Sequence, residues 1–348
     1  MNSSTVTLFS TKIQDLKNAK KEWSARLLKG PRVEGFRAFG VASGTAPEQN
    51  VVGVAVGEQI VDDKPTGVLA IKFFVRVKYP ERELSKKHLL PKSVNGLPVD
   101  VEETGLFRRL AVATSRRKKK PDTKGMPNPK SKFRPAQPGC SIGFQDPNKQ
   151  FVMAGTFGAV VKDSGGQYIL SNNHVLADEG QLAAGAPIFQ PGLLDGGNPS
   201  TDQIASLTRF VALSPDINHA DCAIAKALSN GLVSNSVLHI GPPTGVADAA
   251  IDMAVHKFGR TTSYTVGQVT SVDADVTVQY ETGTFTFLEQ ITIKGSSGSP
   301  FSAAGDSGSL ILERRTNKAV GLLFAGSPQQ TIANHIGDVL VALKVTLV

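Results

Sequence analysis

GSSGSPFSAAGDSGSLILERRTNKAVGLLFAG, residues 295–326, carries one pattern twice. Gly295-Ser296-Ser297-Gly298-Ser299 is echoed by Gly305-Asp306-Ser307-Gly308-Ser309. A serine between glycines sits readily on a tight turn with its hydroxyl exposed, because glycine reaches backbone conformations closed to other residues. The two copies differ in the residues C-terminal to them. Leu310-Ile311-Leu312-Glu313 leads into the turn-like RRTNK and then AVGLLFAG, which reads as strand, turn and returning strand. Ser297 is followed by Pro300-Phe301-Ser302-Ala303-Ala304, which makes no strand, and only the second copy contains an aspartate, Asp306. Ser307 is therefore the candidate nucleophile, and the first copy reads as a loop lining a substrate pocket.

A serine hydroxyl is a poor nucleophile near neutral pH and needs a base within hydrogen-bond reach, itself oriented by a carboxylate. Of the six histidines, His174 is set apart by its context. GTFGAVVKDSGGQYILSNNHVLA reads as strand, turn, strand and a polar break that carries His174, so the imidazole ends a rigid element. His239 and His256 lie in apolar strand-like text and read as structural. For the carboxylate, Asp221 leads directly into the apolar run Cys222-Ala223-Ile224-Ala225, whereas Asp216 follows Pro215 in a turn. Asp221 is the stronger candidate for a buried orienting group.

SNNHVL, DCAIAKA and GDSGSLIL resemble the His, Asp and Ser motifs of the chymotrypsin-like serine proteases and occur in that family's order. His174 and Asp221 are 47 residues apart (221 − 174), and Asp221 and Ser307 are 86 apart (307 − 221). The Asn-Asn-His-Val text is most similar to the HtrA-type branch, and HKFGRTTSYTVGQV and GLLFAGS resemble a cytosolic trypsin-like branch with plant members. The resemblance covers residues 140–348 and implies a mainly β fold of two six-stranded antiparallel barrels and a bacterial source. It implies a serine endopeptidase acting through His174, Asp221 and Ser307, with the backbone amides of Gly305 and Ser307 as the oxyanion hole. Asp306 matches a buried aspartate that holds the serine loop. Phe301 would form the pocket floor, with Ala325 and Gly326 on its wall, favouring an apolar or small residue before the cleaved bond. Cys140-Ser141-Ile142-Gly143 loosely resembles the new N-terminus of proteolytically activated relatives. An ordinary strand entry is the preferred reading there, so activity is expected without cleavage.

The rest of the chain divides by composition. Residues 1–30 read as an N-terminal helix that docks on its own chain, with Ile13, Leu16, Trp23 and Leu27 on one face and lysines opposite. Residues 31–110 read as a small α+β unit for regulation or recruitment of a partner. VVGVAV, GVLAIKFFVRVK and LPVDVEE are its strands, Glu81 to Leu90 a short helix, and the alternation in 67–78 is that of a half-buried strand. Residues 111–138 read as a basic, proline-rich linker, and 139–348 as the protease-like domain.

The formal net charge is +8, but residues 108–134 hold eleven Lys or Arg against one acid. The remainder carries 38 − 11 = 27 basic and 30 − 1 = 29 acidic residues, so the excess belongs to one segment. That segment leaves open a nucleic-acid or anionic-surface binder, and the fold leaves open a catalytically silent scaffold. No HExxH or CxxC spacing is present, so neither metal nor cofactor is expected. Two cysteines make no disulfide framework, there is no apolar run of membrane-spanning length, and the N-terminus lacks a secretory core, so a cytoplasmic location is expected. The expected partners are protein or peptide substrates.

Overall fold

The strand Ser263–Gln279 organises the molecule. It pairs with Thr284–Gly295 along most of its length, with Ala254–Gly259 at its start and with Val51–Val61 further on. One strand can serve so many partners because it bends: its register with Thr284–Gly295 shifts three times, after Val269, Ser271 and Ala274. Such bulges turn a strand away from its first neighbours. The computed structural model describes residues 3–28, 46–61, 64–110 and 125–348.

Among the described residues the strands form sheets of eleven, six and two strands, so the fold is mainly β. Within the largest sheet, Ala254–Gly259, Leu310–Glu313, Ala319–Gly326, Thr331–His335, Thr284–Gly295 and Ser263–Gln279 pair in that order, and the last pairs back to the first. The ring leaves these strands few open edges. Val255, Val269, Ile291, Ile293, Ile311 and Leu323 form a buried cluster with Phe301. The six-stranded sheet runs Pro187–Phe189, Gln203–Phe210, Ala223–Ala227, Gly166–Ser171, Ala159–Asp163 and Thr346–Leu347. Its apolar face shares a core with Leu310, Leu312 and Leu322 of the ring and with Ile336, Val339 and Leu343 of the helix Ile336–Leu343.

The sheet of eleven strands departs from the expected pair of six-stranded units for a definite reason. Val51–Val61 hydrogen-bonds to Ser263–Gln279, Lys64–Val75 pairs with Val51–Val61, and Leu97–Glu103 pairs in parallel with Lys64–Val75. One sheet thus runs across the boundary expected near residue 110. The same arrangement corrects the half-buried reading of 67–78. Ile71, Phe73 and Val75 face one apolar cluster while Phe74 faces another, so both faces are covered. Lys72 is buried as well, with Asp100 and Glu102 at 3.4 and 3.0 Å. The stretch expected to be a short helix forms two single turns, Glu81–Glu83 and Lys86–His88.

The helix Ser3–Leu27 docks on its own chain through Leu16, Ala19 and Leu27. Lys20 lies on this docking face and not opposite it. Its ammonium is 2.7 Å from Asp273 and 2.8 Å from Asp275, and only 1% of its side chain is exposed. No helix among the described residues is long and apolar enough to cross a membrane.

Of the expected linker, residues 111–124 lie outside the described residues, with the basic run 116–120 among them. The remainder packs on the part of the chain that follows residue 139. Lys132 and Arg134 reach Asp202 at 2.5 and 3.4 Å, Lys130 approaches Asp195 at 3.8 Å, and Ala136 is fully buried.

Candidate active site

His174 sits in the short helical turn Asn173–Leu176, directly after the strand Gly166–Ser171. Ala223–Ala227 runs antiparallel to that strand with Ala223 opposite Ser171, which brings Asp221 against the turn. His174 Nδ1 and Asp221 Oδ2 are 2.5 Å apart, and neither side chain is exposed. Asp221 Oδ1 accepts the backbone N–H of Asn173 at 2.7 Å, and Oδ2 accepts the Tyr280 hydroxyl at 2.6 Å. The Asp221 backbone is fixed too: its N–H donates to Asn334 Oδ1 at 3.1 Å, and its carbonyl accepts from Asn172 Nδ2 at 2.8 Å. Burial by itself would push the Asp221 carboxyl up. The contacts to His174, Tyr280 and Asn173 outweigh it and hold the group below the ordinary carboxylate range. Asp216, the alternative carboxylate, is exposed.

Burial and the neighbouring Asp221 push Tyr280 well above the usual phenol range, so it stays a donor. Its ring stands edge-on to His174, with centroids 5.8 Å apart. Sequence reading missed Tyr280 because VTVQYETG carries only a strand signal.

The serine turn is built on its aspartate. Asp306 is fully buried and accepts from the backbone N–H groups of Thr261 and Ala303 at 2.8 and 3.0 Å and from the Thr262 hydroxyl at 2.7 Å. Lys257 Nζ lies 3.4 Å from Asp306 Oδ2 with neither side chain exposed. Burial drives the Lys257 ammonium below its ordinary range, and Asp306 opposes that shift. Gly308 has φ +90°, and a Cβ there would fall 2.1 Å from Ser171 Oγ and 2.3 Å from the Thr156 carbonyl. The Ser307 carbonyl accepts the Thr156 N–H at 2.8 Å. The turn that carries Ser307 is thus pressed against the end of the strand that leads into the His174 turn.

Ser307 Oγ donates to the Phe324 carbonyl at 3.0 Å. His174 Nε2 is buried and has no hydrogen-bond partner among the described residues. The structure therefore joins His174 to Asp221 and holds the Ser307 turn beside them, while the hydroxyl is engaged elsewhere. Gly305, with φ +101°, directs its N–H to the carbonyl of Leu110. Phe301 is 2% exposed and belongs to the cluster that Leu110 packs against. A Cβ on Gly326 would meet Leu110 Cδ1 at 3.0 Å, whereas Ala325 turns into the neighbouring cluster with Phe324.

Two other histidines hold structural contacts. His256 meets Tyr264 at 3.3 Å and Asn317 at 3.0 Å, and His335 meets the Val272 carbonyl at 2.9 Å. Among the described residues, no group of three or more His, Cys, Asp or Glu is placed to hold a metal ion.

Residues 210–327, about a third of the chain, match the model of Peptidase family S64. The matched stretch contains Asp221 and Ser307 and begins after His174. No curated protein matches the chain. Among solved structures, Thermobifida fusca Protease A is 18% identical, with 61% of this chain and 97% of that one covered and a TM-score of 0.43. A glutamic acid specific serine protease, described as using a histidine triad in substrate binding, is also 18% identical, covering 61% and 100% with a TM-score of 0.44. Cellulomonas bogoriensis chymotrypsin is 18% identical over 56% and 90%, with a TM-score of 0.39. The family model is that of a peptidase family, and these structural neighbours are chymotrypsin-like serine proteases.

Proposed function

We propose that the chain is a serine endopeptidase working through an acyl-enzyme on two facing six-stranded units. The observation that carries the reading is the buried 2.5 Å contact between His174 Nδ1 and Asp221 Oδ2, which leaves Nε2 without a partner beside the Ser307 turn. With Nδ1–H donated to Asp221, Nε2 is the free lone pair that a general base needs. The mechanism requires Ser307 to rotate about χ1 into another staggered well, releasing the Phe324 carbonyl and bringing Oγ within reach of Nε2. The hydroxyl then attacks a peptide carbonyl, His174 takes its proton and passes it to the leaving amine, and Asp221 stabilises the imidazolium. The amides of Gly305 and Ser307 receive the developing oxyanion. An amide donor of this kind contributes about 10²–10³-fold in rate. Buried, unpaired Cys140 and Cys222 suit a reducing compartment such as the cytoplasm.

A fluorophosphonate probe tests the reading. Labelling that disappears in Ser307→Ala and His174→Ala is expected. Labelling that persists in Ser307→Ala removes the assignment. A catalytically silent scaffold is the second reading, favoured by the bond from Ser307 to the Phe324 carbonyl. It predicts no labelling of any variant.

A further inference from the structure

The stretch Gly155-Thr156-Phe157-Gly158 runs along the seam between the serine turn and the elements that carry His174, and its glycines let it come that close. A Cβ on Gly155 would fall 2.6 Å from Val175 Cγ2 and 3.1 Å from the Ser307 carbonyl. One on Gly158 would fall 2.3 Å from the Gly308 carbonyl and 3.0 Å from that of Leu170. Between these glycines Thr156 brings the one polar side chain of the stretch, and it is fully buried. A hydroxyl is stable in so tight a seam only when its hydrogen bonds are supplied there.

Thr156 gives each of its polar groups to a different segment. Its N–H donates to the Ser307 carbonyl at 2.8 Å, and its carbonyl accepts the Ser171 hydroxyl at 2.8 Å. Its hydroxyl oxygen lies 3.0 Å from the Arg260 nitrogen and 3.0 Å from the Gly305 carbonyl oxygen. A backbone N–H can only donate, so Arg260 takes a lone pair of the hydroxyl and the hydroxyl proton is left for Gly305. Arg260 is itself fixed. Its guanidinium meets Asp195 at 2.6 and 2.9 Å, and Asp195 also accepts the Ser141 hydroxyl at 2.6 Å. The next two N–H groups, of Thr261 and Thr262, donate to Asp306 Oδ1 at 2.8 and 3.2 Å. Three successive amides thus serve the serine turn, two directly on the Asp306 carboxylate and one, through the Thr156 hydroxyl, on the Gly305 carbonyl.

That carbonyl belongs to the peptide plane between Gly305 and Asp306. The plane lies between the two amides assigned above to the oxyanion, so their convergence on one point depends on its orientation. A plane beside a glycine turns more freely than others, because glycine accepts either hand of the backbone, and Gly305 has φ +101°. The N–H side of the plane is held within the loop, where Asp306 donates to the Ala303 carbonyl at 3.0 Å. The carbonyl side is held from outside the loop, by Thr156. We propose that Thr156 is the positioning residue of the oxyanion site, its hydroxyl locking the Gly305–Asp306 peptide so that the Gly305 and Ser307 amides stay set for the developing charge. The proposal rests on the serine-peptidase reading and adds to it a residue outside the serine turn. Preorganised donors act on the transition state more than on the bound substrate, so the hydroxyl counts in kcat and not in KM.

Steady-state hydrolysis of a peptide amide with an apolar residue before the scissile bond, followed across pH with the full chain, tests this. Thr156→Val keeps the shape of the side chain and removes the hydroxyl. Its kcat should fall by about 10- to 100-fold, with KM within about twofold of wild type. The limb of the pH profile that reports His174 should not move, and Thr156→Ser should restore most of kcat. A purely structural role would lower the unfolding midpoint of Thr156→Val and leave the kcat of the folded protein at the wild-type value, and that result overturns the proposal. So does a fall in kcat that Thr156→Ser does not restore, or one accompanied by a shifted His174 limb, which would place the effect on the base. Should Thr156→Val not fold, Thr156→Ala carries the same comparison with the same expected fall. Fluorophosphonate labelling separates this proposal from the reading beneath it. A labelled wild type with a Thr156→Val variant of undiminished kcat rejects the positioning role and leaves the peptidase standing. A wild type that is neither labelled nor active rejects both.

Discussion

Tyr280 gives its hydroxyl to Asp221 Oδ2 at 2.6 Å, the same oxygen that lies 2.5 Å from His174 Nδ1. Two donors on one carboxylate oxygen fix the carboxylate in rotation and in charge. Tyr280→Phe keeps the ring against His174 and removes one charge-assisted bond, which is typically worth about 1.5–3 kcal/mol. The expected outcome is a fall in kcat of about tenfold with KM little changed, read in steady-state kinetics. A KM effect without a kcat effect would place Tyr280 outside the orienting network.

Lys257 and Asp306 form an ion pair with no exposed side-chain surface. Removing one partner strands the other, at a cost of about 3–5 kcal/mol. Lys257→Met should therefore lower the denaturant midpoint sharply and loosen the serine turn. Lys257→Met combined with Asp306→Asn should recover part of the loss, because no unpaired charge is left. Unfolding curves of the two single variants and the double variant give the coupling directly.

Gly308→Ala should abolish turnover. The added Cβ meets Ser171 Oγ at 2.1 Å, and the φ of +90° is strained for alanine. Backbone strain of this kind costs about 1–3 kcal/mol before the clash is counted. Loss of activity with a wild-type midpoint would show that the turn shifts locally while the fold is retained. A wild-type rate would contradict the packing described.

Asp178, buried beside Glu179, has its carboxyl raised to about 6, first by burial and then by that neighbour, with Arg109 opposing. A carboxyl raised on folding binds more protons in the native state than in the unfolded state between about pH 4 and 6. Its contribution is favourable below the unfolded value and is lost as pH climbs through 6. Asp178→Asn should thus stabilise the protein by about 1–3 kcal/mol at pH 7.5 and change little at pH 4. Denaturant titrations at both pH values check the sign.

Cys140 and Cys222 are both fully buried, and burial pushes the Cys140 thiol up to about 12 and that of Cys222 higher still. Neither should react with an alkylating reagent in the native protein at pH 8, and both should react after denaturation. Rapid modification of the native chain would disprove this burial.

The candidate site was legible where its chemistry is written locally. A histidine after a strand, an aspartate leading into one and a serine between glycines each announce themselves within a few residues. The partners that hold them do not. Tyr280 lies 59 residues from Asp221 and reads as strand, and nothing in the text around Lys257 points to its buried partner Asp306. Lys20 misled for the same reason: its two aspartates lie more than 250 residues away, so helical periodicity alone placed it in solvent. Val51–Val61, Lys64–Val75 and Leu97–Glu103 were legible as strands, whereas Phe107–Arg109 was not; strand text does not say which edge it joins, and the pairing across the expected boundary could not be read. The contact between Arg109 Nε and Glu179 at 2.8 Å was hidden as well, because the two residues come together only in the folded chain.

The ladder between Val51–Val61 and Ser263–Gln279 also has a consequence for synthesis. Ser271 Oγ donates to the Val56 carbonyl across 215 residues, and Lys20 meets Asp275 across 255. During translation the amino-terminal strands emerge long before the strand they will rest on. Contacts so distant carry a heavy loop-closure penalty and form late. The edge and face of those early strands that Ser263–Gln279 and its neighbours cover must therefore wait until most of the polypeptide has left the ribosome.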